Sequence, residues 1–261
     1  MNVFTHPGRF SEDARRARRF WLAGLASIFI SFILSVASGP NQLLIFIAYP
    51  FLLIGLPLWT MGRAGQRRLK TQPRPELLLN AELKALSDKY SLHHYAPYVE
   101  GTFDHLLVTP AGLVVIVTSD VPGPVTCTPV NGSDRWSSPS NFLDRITGVK
   151  PSIGNPSIRV TSQIELATSI LKAETAADVP VKGLVVFTQN PDLELAGCTH
   201  AAVPLEEVRL AVKLLQDEMS EESSQEEARG RMLTSDQRRR LNSALSPQIA
   251  PVVPRAVPAK R

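Results

Sequence analysis

The chain has 261 residues, 44% hydrophobic and 20% charged, with 21 Pro, 15 Gly, two Cys and a formal net charge of +4. These figures exclude a disulfide-stapled mini-protein and a wholly disordered chain, and the length allows one or two domains. The charge is unevenly spread: no Asp, Glu, Lys or Arg occurs over the 43 residues from Phe20 to Gly62, and up to Arg74 ten basic residues face two acids, +8, which leaves −4 for the rest. A pI near 9.2 would suggest nucleic acid, but the positive excess flanks the apolar segment and belongs to a membrane anchor.

In chain order, residues 1–19 form a basic, cytoplasmic N-terminal segment with Arg15, Arg16, Arg18 and Arg19. The uncharged stretch 20–62 would make a single helix about 65 Å long, roughly twice the hydrocarbon core of a bilayer. Four turn-forming residues, Ser38-Gly39-Pro40-Asn41, divide it into 20–37 and 43–61, each near the ~20 residues that a crossing needs. A transmembrane two-helix hairpin is expected. The arginines before it, and Arg63, Arg67, Arg68 and Lys70 after it, mark both flanks as cytoplasmic by the positive-inside rule. They read first as topology signals, with an anionic-lipid site as the sharper alternative. Trp21 and Trp59 suit the interface, Tyr49 is deep enough for a helix–helix contact, and Pro50 and Pro57 should kink the second helix. A cleaved signal peptide is the rival reading, since Ser35-Val36-Ala37 resembles a processing site; the basic flank after the second span argues against it.

A basic linker, 63–75, leads to a helix predicted over Glu76–Lys89. Strands are expected at Leu92–Glu100, Thr102–Thr109, Gly112–Ser119 and Pro124–Pro129, with turns at Pro110-Ala111-Gly112 and Asn131-Gly132. Ser137–Pro156 reads as a loop. A helix over Ser157–Glu174, strands at Val181–Thr188 and Thr199–Val203, and a helix over Pro204–Gln216 complete an α/β or α+β body, 76–216. Beyond it, 217–261 reads as a largely disordered tail with one transient helix opened by Thr234-Ser235-Asp236-Gln237, and a Pro-x-x-Pro at Pro251–Pro254. Cys127 and Cys198 read as separate reduced thiols in or near the core, without a metal or redox role.

Asp104-His105 opens the informative stretch, followed by Pro110, Gly112, Val115-Ile116, Gly123-Pro124-Val125 and Trp136, then Asn155-Pro156 and Gln163. This pattern resembles the nuclease-related domain (NERD) family, and the later strand Gly183–Phe187 and Pro204-Leu205-Glu206-Glu207 fit it too; the resemblance covers about Glu76 to Leu215. It implies a restriction-endonuclease-like fold with a metal-dependent nuclease site. In such a site two carboxylates on adjacent strands hold Mg²⁺, and a Lys two residues past the second acid, hence on the same strand face, prepares the attacking water. Asp104 matches the first acid and Glu82 resembles the family's helical Glu. The family's Glu-x-Lys is replaced by Val117-Thr118-Ser119. Asp120 is the nearest substitute, yet alternation turns it to the opposite face from residue 117.

Other chemistries fare worse. His93, His94, Asp104 and His105 do not converge as zinc ligands, because adjacent strand residues point apart. No hydrolase triad or phosphate loop is spaced correctly. The body carries ten bases and fifteen acids, net −5, a poor surface for nucleic acid. The expectation is therefore a multi-pass protein of a bacterial inner (plasma) membrane, both termini cytoplasmic, whose NERD-like domain is a non-catalytic binding or scaffolding module needing no cofactor. Its partners would be the bilayer, with or without anionic lipid, and an unidentified protein. The alternative is a membrane-tethered Mg²⁺-dependent nuclease with a rearranged site at Asp104, Glu82 and Asp120, for which nucleic acid is the partner. A third reading has the hairpin itself assembling oligomers through Ala23, Gly24, Ala26 and Ser27.

Overall fold

A computed structural model describes residues 1–39, 42–70, 74–98, 101–139, 153–189, 191–225 and 232–246. The polyproline motif and most of the expected 137–156 loop lie outside them.

Two long helices, α1 (Pro7–Ala37) and α2 (Gln42–Lys70), run through the uncharged stretch and continue into the basic flanks. Their apolar spans, Ala14–Ala37 and Phe46–Gln66, are 24 and 21 residues, long enough to cross a membrane. They pack closely because small residues recur every seventh position: Ala17, Gly24 and Ser31 on α1, Ala48, Gly55 and Gly62 on α2. A Cβ at Gly62 would lie 2.2 Å from the Trp21 backbone nitrogen, and one at Gly24 2.3 Å from that of Trp59. Ser27 and Ser31 donate across the interface to the carbonyls of Phe51 and Ala48, at 2.7 and 2.9 Å. Gly24 and Ser27 are thus used inside the hairpin. Tyr49, expected between the helices, points outward, since only small side chains fit between backbones this close.

The body is built on a mixed six-stranded sheet. Its strands are β1 (Asn2–Thr5), β2 (Ser91–His94), β5 (His105–Val108), β6 (Leu113–Ser119), β9 (Val181–Phe187) and β11 (Ala201–Pro204), and they lie side by side in that order. β6 is a β-branched run buried on both faces, as the centre of a covered sheet requires. The tight turn before it holds Gly112 so close to Pro180 that a Cβ would sit 2.2 Å from that residue's carbonyl oxygen. Helices α3 (Pro75–Leu83) and α5 (Val208–Gln225) cover the face carrying Leu107, Val114 and Ile116. The face carrying Leu106, Val115 and Val117 is covered by α4 (Pro156–Thr175) and α6 (Ser235–Leu245). A second sheet sets β7 (Gly123–Val130) between β8 (Ser133–Ser137) and β10 (Pro191–Leu195), with the Asn131-Gly132 turn, both residues at positive φ, joining β7 to β8. Short β3 (Pro97–Tyr98) and β4 (Gly101–Thr102) form a separate ribbon.

Several expectations are corrected. Of the expected tail, residues 217–225 and 232–246 are described and belong to the fold: α5 runs on to Gln225, and the expected short helix, α6, is packed, burying Leu241 and Leu245 completely while Asn242 bonds to His93 and Ser91. The N-terminal segment contributes β1, which pairs in parallel with β2 and places the first residues against the sheet that follows the hairpin. Cleavage after Ala37 would delete that strand. Cys127 and Cys198 are joined in a disulfide across 71 residues of sequence, because the pairing of β10 with β7 returns the chain to Cys127.

Candidate functional site

The strands expected at 92–100 and 102–109 both break at one level. Tyr95 takes a positive φ of 57°, its N–H donates to the Asp104 carbonyl, and the Phe103 N–H donates to Ala96. Asp104 therefore stands just before β5, at the lip of the sheet. His105 pairs with Ile116, so one residue back Asp104 lies across from Val117. Ser119, two residues on, shares that strand face. The two positions where the resemblance asks for Glu and Lys are thus in the right place beside Asp104 and hold a fully buried valine and a serine.

The partners of Asp104 come from α4. Asn155 caps this helix, its side chain accepting from the Ile158 N–H, and Pro156 fills the first turn. One helical turn apart, Arg159 and Gln163 reach the same spot: the Arg159 guanidinium donates to the Asp104 carboxylate, and the Gln163 carbonyl accepts the Asp104 N–H at 3.0 Å. A fixed cation already faces the carboxylate.

On the other face, a polar track crosses beneath α3. Asn80 Oδ1 meets His94 Nε2 at 2.9 Å, His94 Nδ1 meets His105 Nδ1 at 2.7 Å, and His105 Nε2 approaches Thr118 Oγ1 at 3.4 Å. Burial lowers these imidazoles, His94 to about 2 with help from His105, and His105 to about 3 with help from Arg159; burial also lowers His93 to about 4. All three are neutral in the fold, whereas an unfolded chain protonates them below about pH 6.5. Stability should therefore be fully present above pH 6.5 and fall as pH drops toward 4, by up to about 1.4 kcal/mol per pH unit for each imidazole. Urea midpoints of the full chain at pH 7.5 and 5 check this; equal midpoints would contradict it.

The carboxylate that α3 brings toward the lip is Glu76, 5% exposed, which accepts the Tyr95 hydroxyl at 3.1 Å. Burial, then the Glu76 charge and hydrogen bond, and the Asp104 charge push the Tyr95 phenol upward. Glu82 sits further along α3, half-buried, on the helix that covers the sheet face opposite α4. Asp120 follows the end of β6, where alternation turns it from the Val117 face. Glu76 and Arg159 were not picked out from sequence; His94 and His105 were named there and set aside as zinc ligands, and their contact with each other was not foreseen, while Gln163 was named within the Asn-Pro region. Of the basic residues, Arg15, Arg16, Arg18, Arg19 and Arg63 are exposed, and Arg16 and Arg63 lie over the rings of Phe20 and Trp59. The contact of Gly65 with Ala17 brings both basic flanks to one end of the hairpin; the side chains of Arg67, Arg68 and Lys70 lie outside the described residues.

A Mg²⁺ site of the expected kind does not fit these residues. Hard divalent ions need several oxygen ligands, and here one carboxylate is bound to a guanidinium while the adjacent strand offers Val117 and Ser119.

Residues 74–188 match the family model described as the nuclease-related domain. None of the curated proteins and none of the solved structures compared matches the chain. The matched segment, less than half of the chain, holds Asp104, the β5–β6 register and the capping of α4, and it is this segment that is similar to the nuclease-related (NERD) family; two helices long enough to span a membrane precede it.

Proposed function

We propose that the chain is a non-catalytic NERD protein, a binding or scaffolding module held by its hairpin at the cytoplasmic face of a bacterial inner (plasma) membrane. The ion pair between Asp104 and Arg159 carries this reading. A nuclease of this fold uses its first acid to hold a metal beside a second acid and a lysine. Here a side chain of this protein supplies the positive charge, permanently, and the second acid and lysine are absent from their register positions. The net charge of −5 over 76–216 agrees, since nucleic-acid binding draws on a basic surface. Basic flanks on both sides of the hairpin, with an uncharged connection, support the cytoplasmic orientation, and protease added to sealed inverted vesicles should digest the domain.

One observation favours the alternative nuclease: Glu76 provides a second carboxylate, itself buried, bonded to the Tyr95 hydroxyl that the Asp104 charge also acts on. Full-length protein incubated with DNA and RNA plus Mg²⁺ or Mn²⁺ separates the readings. No cleavage above background is expected. Cleavage that Asp104→Ala abolishes would overturn the non-catalytic reading.

A further inference from the structure

Away from Asp104, three potential ligands converge from separate segments: Cys127 in β7, Asp134 in β8, and Cys198 in the turn before β11. Their ligand atoms all lie within 4.8 Å of one another. Cys127 pairs with Trp136, and Asp134 lies two residues before Trp136, so Cys127 and Asp134 share the inward face of the second sheet. A carboxylate on that face needs partners. The Ser157 hydroxyl donates to it at 2.5 Å, the Thr199 hydroxyl at 3.0 Å, and the Thr199 N–H at 3.1 and 3.2 Å to its two oxygens. Outer partners of this kind fix the direction of a metal-ligating carboxylate, and three donors leave a lone pair for a cation.

Two features of the molecule speak to compartment in opposite senses. The basic flanks put the domain on the side of the membrane where thiols are kept reduced, yet the structure joins its two cysteines. A pair of thiols beside an oriented carboxylate reconciles them. Tetrahedral zinc, with Zn–S of ~2.3 Å and Zn–O of ~2.1 Å, sets ligand atoms roughly 3.5–3.8 Å apart. Opening the disulfide frees the two sulfurs to part to that spacing, Cys198 from the half-buried segment before β11 and Cys127, like Asp134, from a strand of the second sheet.

We propose that Cys127, Cys198 and Asp134 form a zinc site once the disulfide is opened, with solvent in the fourth position on the Cys198 side. A dithiol reductant gives two electrons and two protons to the sulfur–sulfur bond and becomes a disulfide itself; zinc then displaces the two thiol protons into water. The inference rests on the cytoplasmic orientation for its relevance in the cell. Its chemistry is independent of nuclease activity, so either reading can fail alone.

The test uses full-length protein in detergent, reduced, freed of reductant and titrated with Zn²⁺ or Co²⁺. One metal ion per chain and a thiolate-to-cobalt charge-transfer band are expected. Cys198→Ser should weaken zinc at least about 100-fold, and Asp134→Asn at least about 10-fold, the order of loss that follows even from disturbing an outer partner. Zinc should also slow maleimide labelling of Cys198, the half-buried thiol, in the reduced unmodified chain relative to the same chain without zinc, a readout that needs no variant to fold. No zinc uptake by the reduced chain, uptake unchanged in Cys198→Ser, or labelling of Cys198 that zinc does not slow would overturn the site.

Discussion

Asp134→Ala is expected to cost about 4 kcal/mol of folding stability, enough to leave the domain near its unfolding threshold. The residue is 5% exposed, and its carboxylate ties three parts of the fold together: its own strand β8, Ser157 at the start of α4, and Thr199 before β11. Burial by itself raises this carboxyl, but the bonds from Ser157 and Thr199 outweigh it and hold the group below the usual carboxylate range. Each bond to a charged acceptor contributes on the order of 1.5–3 kcal/mol, and removing the acceptor strands the buried Ser157 and the Thr199 donors. The loss should be read by urea unfolding of the full chain, followed through Trp136, whose indole N–H bonds to Ser157 at 2.8 Å. A cost below about 1 kcal/mol would mean that these bonds do not set the position of α4.

Gly62→Leu should separate the two long apolar helices. A Cβ at this position meets the Trp21 backbone, which cannot rotate away as a side chain can. In a chain with Cys127 and Cys198 replaced by serine, the pair Ser27→Cys and Phe51→Cys reports the contact that Ser27 now makes with the Phe51 carbonyl. Oxidative cross-linking should be efficient in that background and drop at least about 10-fold with Gly62→Leu, the loss for a penalty of ~1.4 kcal/mol or more. Ala26→Leu, on the exposed side of α1, should leave it unchanged. Cross-linking that survives Gly62→Leu would show that the helices tolerate a wider spacing.

How much was legible in advance follows from the range of the interactions. The hairpin was, because missing charge over 43 residues is a property of the chain itself. So were β6 and the Asn131-Gly132 turn, which depend on alternation and on a short connection; the place of Val117 beside Asp104 was an open question that the β5–β6 register answers. Arg159 was not: it reads as an ordinary helix residue until the fold sets it against Asp104, 55 positions away. Glu76 and Glu82 differ in sequence only by their place on one helix, and burial distinguishes them. The start of α6 was legible in the capping box of Thr234 with Gln237, but its packing was not: Leu241 and Leu245 are an unremarkable pair in a polar, proline-flanked tail until Asn242 is seen bonded to β2. β1 and the disulfide escaped notice because their partners lie across the hairpin and 71 residues downstream.

On the membrane-anchored reading proposed above, the placement of β1 makes the path of the two helices a condition for finishing the sheet. In the chain β1 precedes both long apolar helices, and β2, its partner in the sheet, follows them. A chain that passed only once through the bilayer would leave its first strand on the far side and β2 with an open edge, the kind of edge that recruits other chains. On the same membrane-anchored reading, closure of the sheet therefore requires the two helices to return the chain to the side on which β1 lies.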